Sequence, residues 1–221
     1  MYTITEVYNN IPFDPALRTA KGFSCYIKEA ALLFDTGGDP AVLSANLKTL
    51  GIDPADILTL VLSHDHWDHV GGLQAVLGHN PDLTVCILDT FSEKTRAAVA
   101  AAGSVEVIDG WQELAPGLFT TGPCGDPPAE QSLALRTERG YLLITGCAHP
   151  HIGKIIRTVR SHGQVMGAIG GFHSVSEDDL DALTTLVYLS PSHCTEGIEM
   201  IREKNTGTFE QGGVGKQHLF S

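Results

Sequence analysis

The stretch VLSHDHWDHVGG, residues 61–72, places five histidine or aspartate residues within six positions, directly after an apolar run. The residues that lead into it, DILTLVLS, are typical of a buried strand, and the two glycines at its end indicate a tight turn. Imidazole and carboxylate groups together suit zinc, manganese and iron. The stretch therefore predicts a metal site at the end of a strand. Its four candidate ligands are His64, His66, Asp68 and His69.

The spacing of these ligands predicts two neighbouring metal positions. His64 and His66 stand at i and i+2, so on an extended or turning backbone they point the same way. Asp68 and His69 can turn toward a second point a few ångströms away. The alternative is a polar surface turn in which histidines cluster without a ligand. The density of metal-binding side chains favours the metal site.

Length and composition limit the class of protein. The chain has 221 residues, 43% of them apolar and 18% charged, which predicts a single domain over residues 1–221. It has no apolar stretch near the roughly eighteen residues that span a bilayer, and no basic-then-apolar leader follows Met1. We therefore expect a soluble protein of the cytoplasm. The five cysteines are odd in number and lack a CxxC pair, so we expect no disulfide framework.

The net charge limits the partners. Twenty-six acidic and fourteen basic residues give a formal charge of −12, and such a surface repels a phosphate backbone. We expect a small-molecule substrate and neither nucleic acid nor a membrane as partner. Divalent cations in a pocket would still make the local field positive. The sequence leaves the oligomeric state open.

The pattern of predicted elements indicates an α/β (α+β) architecture. YTITEVY, FSCYI and ALLFDT predict strands. A helix follows, with Asp39 as its cap, Pro40 at its first position and Gly51 at its end. Strands and helices then alternate, and Ser176 with Asp179 predicts a capping box. Because strands outnumber the interspersed helices, we predict two packed sheets with helices outside and the polar candidates at strand ends.

Two segments resemble the metallo-β-lactamase fold superfamily. HDHWDH matches its HxHxDH signature, and LLFDTG at residues 32–37 is similar to its early strand that ends in aspartate. The resemblance extends over almost the whole chain. It implies a four-layer αββα sandwich of two mixed sheets, and a metal-dependent hydrolase.

Three later segments resemble one subgroup of that superfamily. They are LLITGCAHPHIG with His149, GAIGGFH with His173, and LSPSHCTEG with His193. Similar elements occur in the metal-dependent hydrolases related to the dihydropterin–ribofuranosylaminobenzene phosphate synthase of methanopterin biosynthesis. The subgroup implies a phosphate- or pterin-bearing metabolite as substrate.

The resemblance also implies a ligand set. It assigns His64 and His66 to a first metal and Asp68 and His69 to a second, which His193 completes. Two common ligands of the superfamily are absent. Glu130 and Gln131 stand where a third histidine is usual, and Cys147 stands where a bridging aspartate is usual. We predict His149, two residues after Cys147, as the substitute, since i and i+2 on an extended segment face the same side.

Several residues near these ligands have more than one interpretation. Cys147 is either a thiolate ligand or a small buried residue, and Glu130 is a possible ligand. His173 is a ligand, a proton donor, a partner of a ligand or a structural histidine. Asp35 is predicted to accept a hydrogen bond from a ligating imidazole, and Asp65 either does the same or faces solvent.

The implied chemistry is hydrolysis by a metal-bound hydroxide in a dinuclear site, with two zinc ions expected and manganese or iron as alternatives. Asp68 would accept a proton or hydrogen bond from the nucleophile, and His173 would stabilise an oxyanion or protonate a leaving group. The alternatives are a synthase that uses the same metals, a single-iron oxygen-dependent enzyme, and a metal-stabilised binding module without turnover.

Overall fold

The computed structural model describes residues 1–100, 102–126 and 129–221. The chain divides into two compact units, and each contains one β-sheet. The first unit comprises residues 1–109 and 213–221, and the second comprises residues 110–212. The predicted α/β class with two mixed sheets is confirmed. The prediction of one domain stays a prediction.

The first unit holds a seven-stranded sheet. Its strands are β1 (Tyr2–Asn9), β2 (Phe23–Ile27), β3 (Leu32–Phe34), β4 (Thr59–Val61), β5 (Thr84–Leu88), β6 (Ser104–Ile108) and β13 (Gln217–Phe220). The order is β13-β1-β2-β3-β4-β5-β6. Pairing is antiparallel from β13 to β3 and parallel from β3 to β6. The helices are α1 (Pro40–Thr49), α2 (Trp67–Val70) and α3 (Glu93–Val99).

Helix α1 forms as predicted. The Asp39 side chain accepts a hydrogen bond from the backbone N–H of Ala41 at 2.8 Å, which satisfies one of the donors that a helix start leaves without a partner. Leu43 and Leu47, four residues apart on one face of the helix, are fully buried. The chain leaves the helix at Gly51, whose φ of 69° suits glycine.

Helix α2 differs from the prediction. The segment VGGLQAVLG, residues 70–78, predicts a short helix, but the helix begins at Trp67, inside the histidine-rich stretch, and ends at Val70. A separate 3-10 turn follows at Leu73–Ala75. The two glycines separate these turns because their backbone lies against the loop after β3. A Cβ at Gly72 would lie 2.1 Å from the Thr36 carbonyl oxygen.

The second unit holds a six-stranded sheet. Its strands are β7 (Gln112–Ala115), β8 (Leu118–Thr120), β9 (Leu133–Thr137), β10 (Gly140–Thr145), β11 (Val165–Gly171) and β12 (Tyr188–Ser192). The order is β12-β11-β10-β9-β8-β7, parallel from β12 to β10 and antiparallel beyond. The helices are α4 (Ile152–Arg160), α5 (Glu177–Thr184) and α6 (Ile198–Lys204). The predicted capping box of α5 is present.

Parallel pairing determines where the polar candidates lie, because the carboxyl ends of parallel strands meet at one edge of a sheet. In the first unit, Asp35 follows β3 and His64 follows β4. In the second unit, Cys147 follows β10, His173 follows β11 and His193 follows β12. Each sheet thus gathers its own candidates at one edge.

Two expectations drawn from composition concern the described residues. All five cysteines lie within them, and none forms a disulfide there. No helix in this part of the chain is both long and apolar enough to pass through a bilayer. The segment FSEKTRAAVAAAG, residues 91–103, predicts a helix that includes Ala101, and the glycines and prolines of residues 120–131 predict an irregular loop that includes Pro127 and Pro128. These three residues lie outside the described residues.

Candidate metal centre

The four candidate ligands of the first unit form a tight group. The ring centroid of His64 lies 4.5 Å from that of His66 and 4.2 Å from that of His69. His64 and His69 are almost fully buried, Asp68 is 7% exposed, and His66 is exposed at the start of α2. Three imidazoles and a carboxylate therefore lie together where β4 gives way to α2.

The Asp35 carboxylate contacts this group and accepts a hydrogen bond from an imidazole, as predicted. Its fully buried carboxylate accepts hydrogen bonds from the Ser63 backbone N–H and the Ser63 hydroxyl, each at 2.7 Å. It also lies 2.7 Å from His69 Nδ1. Burial raises the pKa of Asp35, while the attraction and hydrogen bond of His69 oppose this shift.

These contacts determine the tautomers of two histidines. Because the Asp35 carboxylate accepts, His69 Nδ1 donates, and the ring lone pair is on Nε2. The Ser63 hydroxyl gives its only hydrogen to Asp35, so its oxygen accepts from His64 Nδ1 at 2.9 Å. The His64 lone pair is then also on Nε2. A metal ligand requires such a lone pair.

Asp65 does not orient a ligand in this arrangement. Its carboxylate accepts from the Ser92 backbone N–H at 2.7 Å and the Thr95 hydroxyl at 2.5 Å, at the start of α3. The neighbouring Trp67 is 60% exposed. His64 and His66 therefore lie together as candidate ligands, while Asp65, between them in the sequence, binds the start of α3.

Glu130 holds His149 in the second unit. The fully buried Glu130 carboxylate accepts from the backbone N–H of Ala148 at 2.6 Å and of His149 at 3.1 Å. Its Oε2 also lies 2.8 Å from His149 Nδ1. This contact again leaves the lone pair of a candidate ligand on Nε2. The carboxylate occupies the sequence position of the missing histidine, and it supports His149.

The loops after the strands of the second unit have strained backbone. His173 and His193 have φ values of 49° and 52°, and Ala148 has 61°. Such left-handed conformations cost about 1–3 kcal/mol in non-glycine residues and cluster at functional sites. The His173 ring centroid lies 4.6 Å from that of His149. Burial, followed by the nearby His149, lowers the pKa of His173.

His193 has two sulfur neighbours. His193, Cys147 and Cys194 each offer one ligand atom, and these atoms lie within 4.8 Å of one another. From the sequence, Cys147 and Cys194 are the two cysteines that lie beside other candidate ligands, but only Cys147 is considered there as a ligand. Sequence reasoning missed the Ser63 link to His64, although Ser63 immediately precedes that residue.

The donor set fits a divalent cation. Imidazole nitrogens with the lone pair on Nε2, one carboxylate and two thiols are ligands for first-row divalent metals, and each Nδ1 contact supplies the support that metal-binding histidines usually have. The structure thus brings His64, His66, Asp68 and His69 together in one unit. It brings His149 close to His173, and His193 close to Cys147, in the other.

Residues 24–192 match the metallo-β-lactamase superfamily. The chain belongs to that superfamily. The match includes every candidate ligand except His193 and Cys194, which directly follow its last residue, Ser192. The superfamily binds divalent metal, which agrees with the donor set.

Two relatives of known name are similar in sequence. The 7,8-dihydropterin-6-methyl-4-(β-D-ribofuranosyl)-aminobenzene-5′-phosphate synthase of Methanocaldococcus jannaschii is 26% identical over 280 residues, covering 98% of this chain and 95% of that enzyme. An N-acyl homoserine lactonase of Bacillus thuringiensis is 30% identical over 115 residues, covering 45% of this chain and 41% of that enzyme. The resemblance to the synthase-related subgroup is thereby confirmed.

Two solved structures show the same fold. Tm1679, described as a metal-dependent hydrolase of the β-lactamase superfamily, has a TM-score of 0.82 at 22% identity, with all of both chains covered. The metallo-β-lactamase fold protein YhfI of Bacillus subtilis has a TM-score of 0.68 at 13% identity, with 98% of both chains covered. At these identities the likeness concerns the fold.

Proposed function

We propose that this protein is a metal-dependent hydrolase with a dinuclear site, whose substrate is a small phosphate- or pterin-bearing metabolite. We assign His64 and His66 to one metal and Asp68, His69 and His193 to the other. We place His149 in the same site. Zinc is the metal we expect, with manganese or iron as alternatives, because this donor set suits all three.

One observation carries the proposal: a single buried carboxylate determines the tautomers of two candidate ligands. Asp35 accepts from His69 directly and from His64 through Ser63. A polar network of this kind is costly to bury unless every member is satisfied. It is the arrangement expected when two imidazoles must present Nε2 lone pairs to cations. Membership of the superfamily supports the same conclusion.

The residues would divide the work of hydrolysis. A divalent cation supplies acidity, since it lowers the pKa of a bound water from 15.7 to about 7. The Asp68 carboxylate would accept a hydrogen bond or proton from the attacking water and direct its lone pair toward the substrate. His173 would donate a hydrogen bond to the developing oxyanion or a proton to the leaving group.

The experiment combines metal analysis with turnover. Elemental analysis of the purified chain should give two equivalents of zinc, manganese or iron. The metal-loaded protein should hydrolyse at least one member of a panel of phosphodiesters, phosphomonoesters, lactones and thioesters. His66→Ala and Asp68→Ala should lower both metal content and turnover, while His79→Ala, at an exposed histidine outside the group, should change neither. A His66→Ala or Asp68→Ala protein that kept its full metal content would refute the assignment.

A synthase is the second candidate. The observation that favours it is the similarity to the Methanocaldococcus jannaschii synthase over 98% of this chain. In that case the same residues would activate an aromatic or pterin carbon. Product analysis in isotopically labelled water separates the two, because hydrolysis places a solvent oxygen in the product.

We also propose that the protein works in the cytoplasm on a small molecule without nucleic acid or membrane as partner. The formal charge of −12 supports the exclusion of nucleic acid. Five cysteines without a disulfide agree with a reducing compartment. Fractionation of cells that express the tagged chain tests the compartment.

A further inference from the structure

Two cysteines lie beside His193 at one edge of the second sheet. Cys147 follows β10, and Cys194 directly follows His193 after β12. Because β10, β11 and β12 are parallel, their carboxyl ends lead to the same edge. The Cys147 and Cys194 sulfurs and one His193 ring nitrogen lie within 4.8 Å of one another. Ligands of a single cation have this spacing.

The backbone makes room for the Cys194 sulfur. A Cβ at Gly171, the last residue of β11, would lie 2.7 Å from Cys194 Sγ and 2.3 Å from the Gly146 carbonyl oxygen. Only glycine permits this approach. The Cys194 thiol lies 3.6 Å from the Cys147 carbonyl oxygen. The sulfur is therefore packed against the loop that carries Cys147.

Hydrogen bonds hold the loop of Cys194 in place. The Thr195 hydroxyl accepts from the Phe172 backbone N–H at 2.9 Å and donates to the Ser192 carbonyl oxygen at 2.7 Å. The backbone N–H of Glu196 donates to the His173 carbonyl oxygen at 2.9 Å. His193 itself has a strained φ of 52°. A loop held at both ends and strained between them is preorganised for a ligand.

The other cysteines of the chain differ from this pair. Cys25 is completely buried in the first unit, and burial raises its pKa well above its usual range. Burial likewise raises the pKa of Cys86 to about 12. Cys124 packs in the apolar core of the second unit, with its sulfur 3.8 Å from the Thr158 hydroxyl. These three have the surroundings of small buried hydrophobes.

We propose that Cys147 and Cys194 bind one divalent cation as thiolates together with His193. The inference rests on the proposed metal centre and deepens it by giving one position two sulfur ligands. On binding, each thiol forms a sulfur–metal bond and releases its proton to solvent, so no oxidant or reductant is needed. Two thiolates and an imidazole favour zinc, iron or cobalt over manganese or magnesium.

Cobalt titration tests the sulfur ligands directly. The full chain is stripped with a chelator under reducing conditions and titrated with Co²⁺ alone. Thiolate ligation gives a near-ultraviolet charge-transfer band that imidazole and carboxylate ligands do not give. We expect this band in the wild type, a loss of about half of it in Cys147→Ser and in Cys194→Ser, and a complete loss in the double variant. Cys124→Ser is the matched control and should keep the band.

The outcomes separate this inference from the proposed function. A wild-type protein that binds Co²⁺ and turns over substrate without the band would overturn the thiolate assignment and leave the hydrolase intact. The same follows if Cys194→Ser and Cys124→Ser have equal bands. A protein that shows the band but hydrolyses no substrate would retain the thiolate site and contradict the hydrolase. Far-ultraviolet circular dichroism confirms that each variant is folded.

Discussion

Glu130 Oε2 lies 2.8 Å from His149 Nδ1, and the same carboxylate accepts from the His149 backbone N–H. Glu130 is fully buried and His149 is partly buried. A buried carboxylate is costly unless hydrogen bonds satisfy it, and here three donors do so. Glu130 stands where the superfamily resemblance implies a third histidine, and here it contacts a histidine on the loop after β10.

Glu130→Gln should weaken metal binding. The amide keeps one acceptor oxygen, but its NH₂ group faces donors where Glu130 had a second oxygen. His149 then loses the contact that determines its tautomer. Loss of such a supporting partner typically lowers metal affinity 10- to 100-fold, and we expect about that loss in chelator-competition titrations with zinc.

The matched control is Glu138→Gln, at an exposed glutamate of the same unit. It should bind zinc as the wild type does. Equal affinities for Glu130→Gln and Glu138→Gln would show that His149 is not a ligand or does not depend on Glu130.

Asp35 and Ser63 allow a graded test in the first unit. Asp35→Asn removes the carboxylate acceptor for His69 directly and for His64 through Ser63. Ser63→Ala removes the contact to His64 and one hydrogen bond to Asp35, but it leaves the Asp35 contact with His69. We expect zinc affinity to fall in the order wild type, Ser63→Ala, Asp35→Asn, with about 10-fold or more lost at the last step.

The zinc dissociation constant is measured for each variant, and circular dichroism confirms that each is folded. Asp56→Asn, at an exposed aspartate of the same unit, is the control. An Asp35→Asn protein with a smaller loss than Ser63→Ala would contradict the relay.

Most strands and helices could be predicted from the sequence, because each has a pattern of apolar residues within its own segment. β1 to β5 are largely buried and are rich in apolar and β-branched residues. Side-chain caps begin α1, α3 and α5, and α4 has an apolar stripe. β13 was missed because four residues with two exposed ones carry little pattern. Its pairing with β1 joins opposite ends of the chain.

In the candidate site, too, neighbours in the sequence could be predicted and contacts between distant residues could not. The grouping of the candidate ligands at residues 64–69 could be predicted because these residues are adjacent in the sequence. The Glu130 contact with His149 joins positions 19 residues apart, and the approach of Cys194 to Cys147 joins positions 47 apart. Such pairs depend on which strand ends lie at the same sheet edge, and the periodicity of apolar residues within a segment does not indicate strand order.

A buried pair ties the terminal strand to the first sheet. His218 Nε2 lies 3.1 Å from Glu6 Oε1, and Asn9 donates to Glu6 Oε2 at 2.6 Å. Both members of the pair are essentially unexposed. His218→Leu leaves the Glu6 carboxylate without this partner, and removing one partner of a buried pair costs about 3–5 kcal/mol.

Urea unfolding of His218→Leu should therefore show a free energy of unfolding lower by about 3 kcal/mol or more. Gln217→Ala, at an exposed neighbour on β13, should change it by less than about 0.5 kcal/mol. The double variant Glu6→Leu/His218→Leu should recover part of the loss, because no carboxylate is then left buried. A loss no larger for His218→Leu than for Gln217→Ala would contradict the pair's contribution.

Asp179 links the starts of α4 and α5 and gives stability a pH dependence. Burial alone would raise its pKa, but hydrogen bonds from Ser176, Gly153 and His151 outweigh it, and the pKa is lower than its usual value of 3.8. Because the folded-state pKa is lowered, the ionised carboxylate contributes stability above pH 3.8, and this stability is lost as the pH falls through the folded-state pKa.

Asp179→Asn should lower the free energy of unfolding by about 1–2 kcal/mol at pH 7. In urea titrations this difference should shrink below pH 3.8, whereas the exposed control Asp178→Asn should show little difference at either pH. A difference that stayed constant with pH would mean that the Asp179 charge does not contribute.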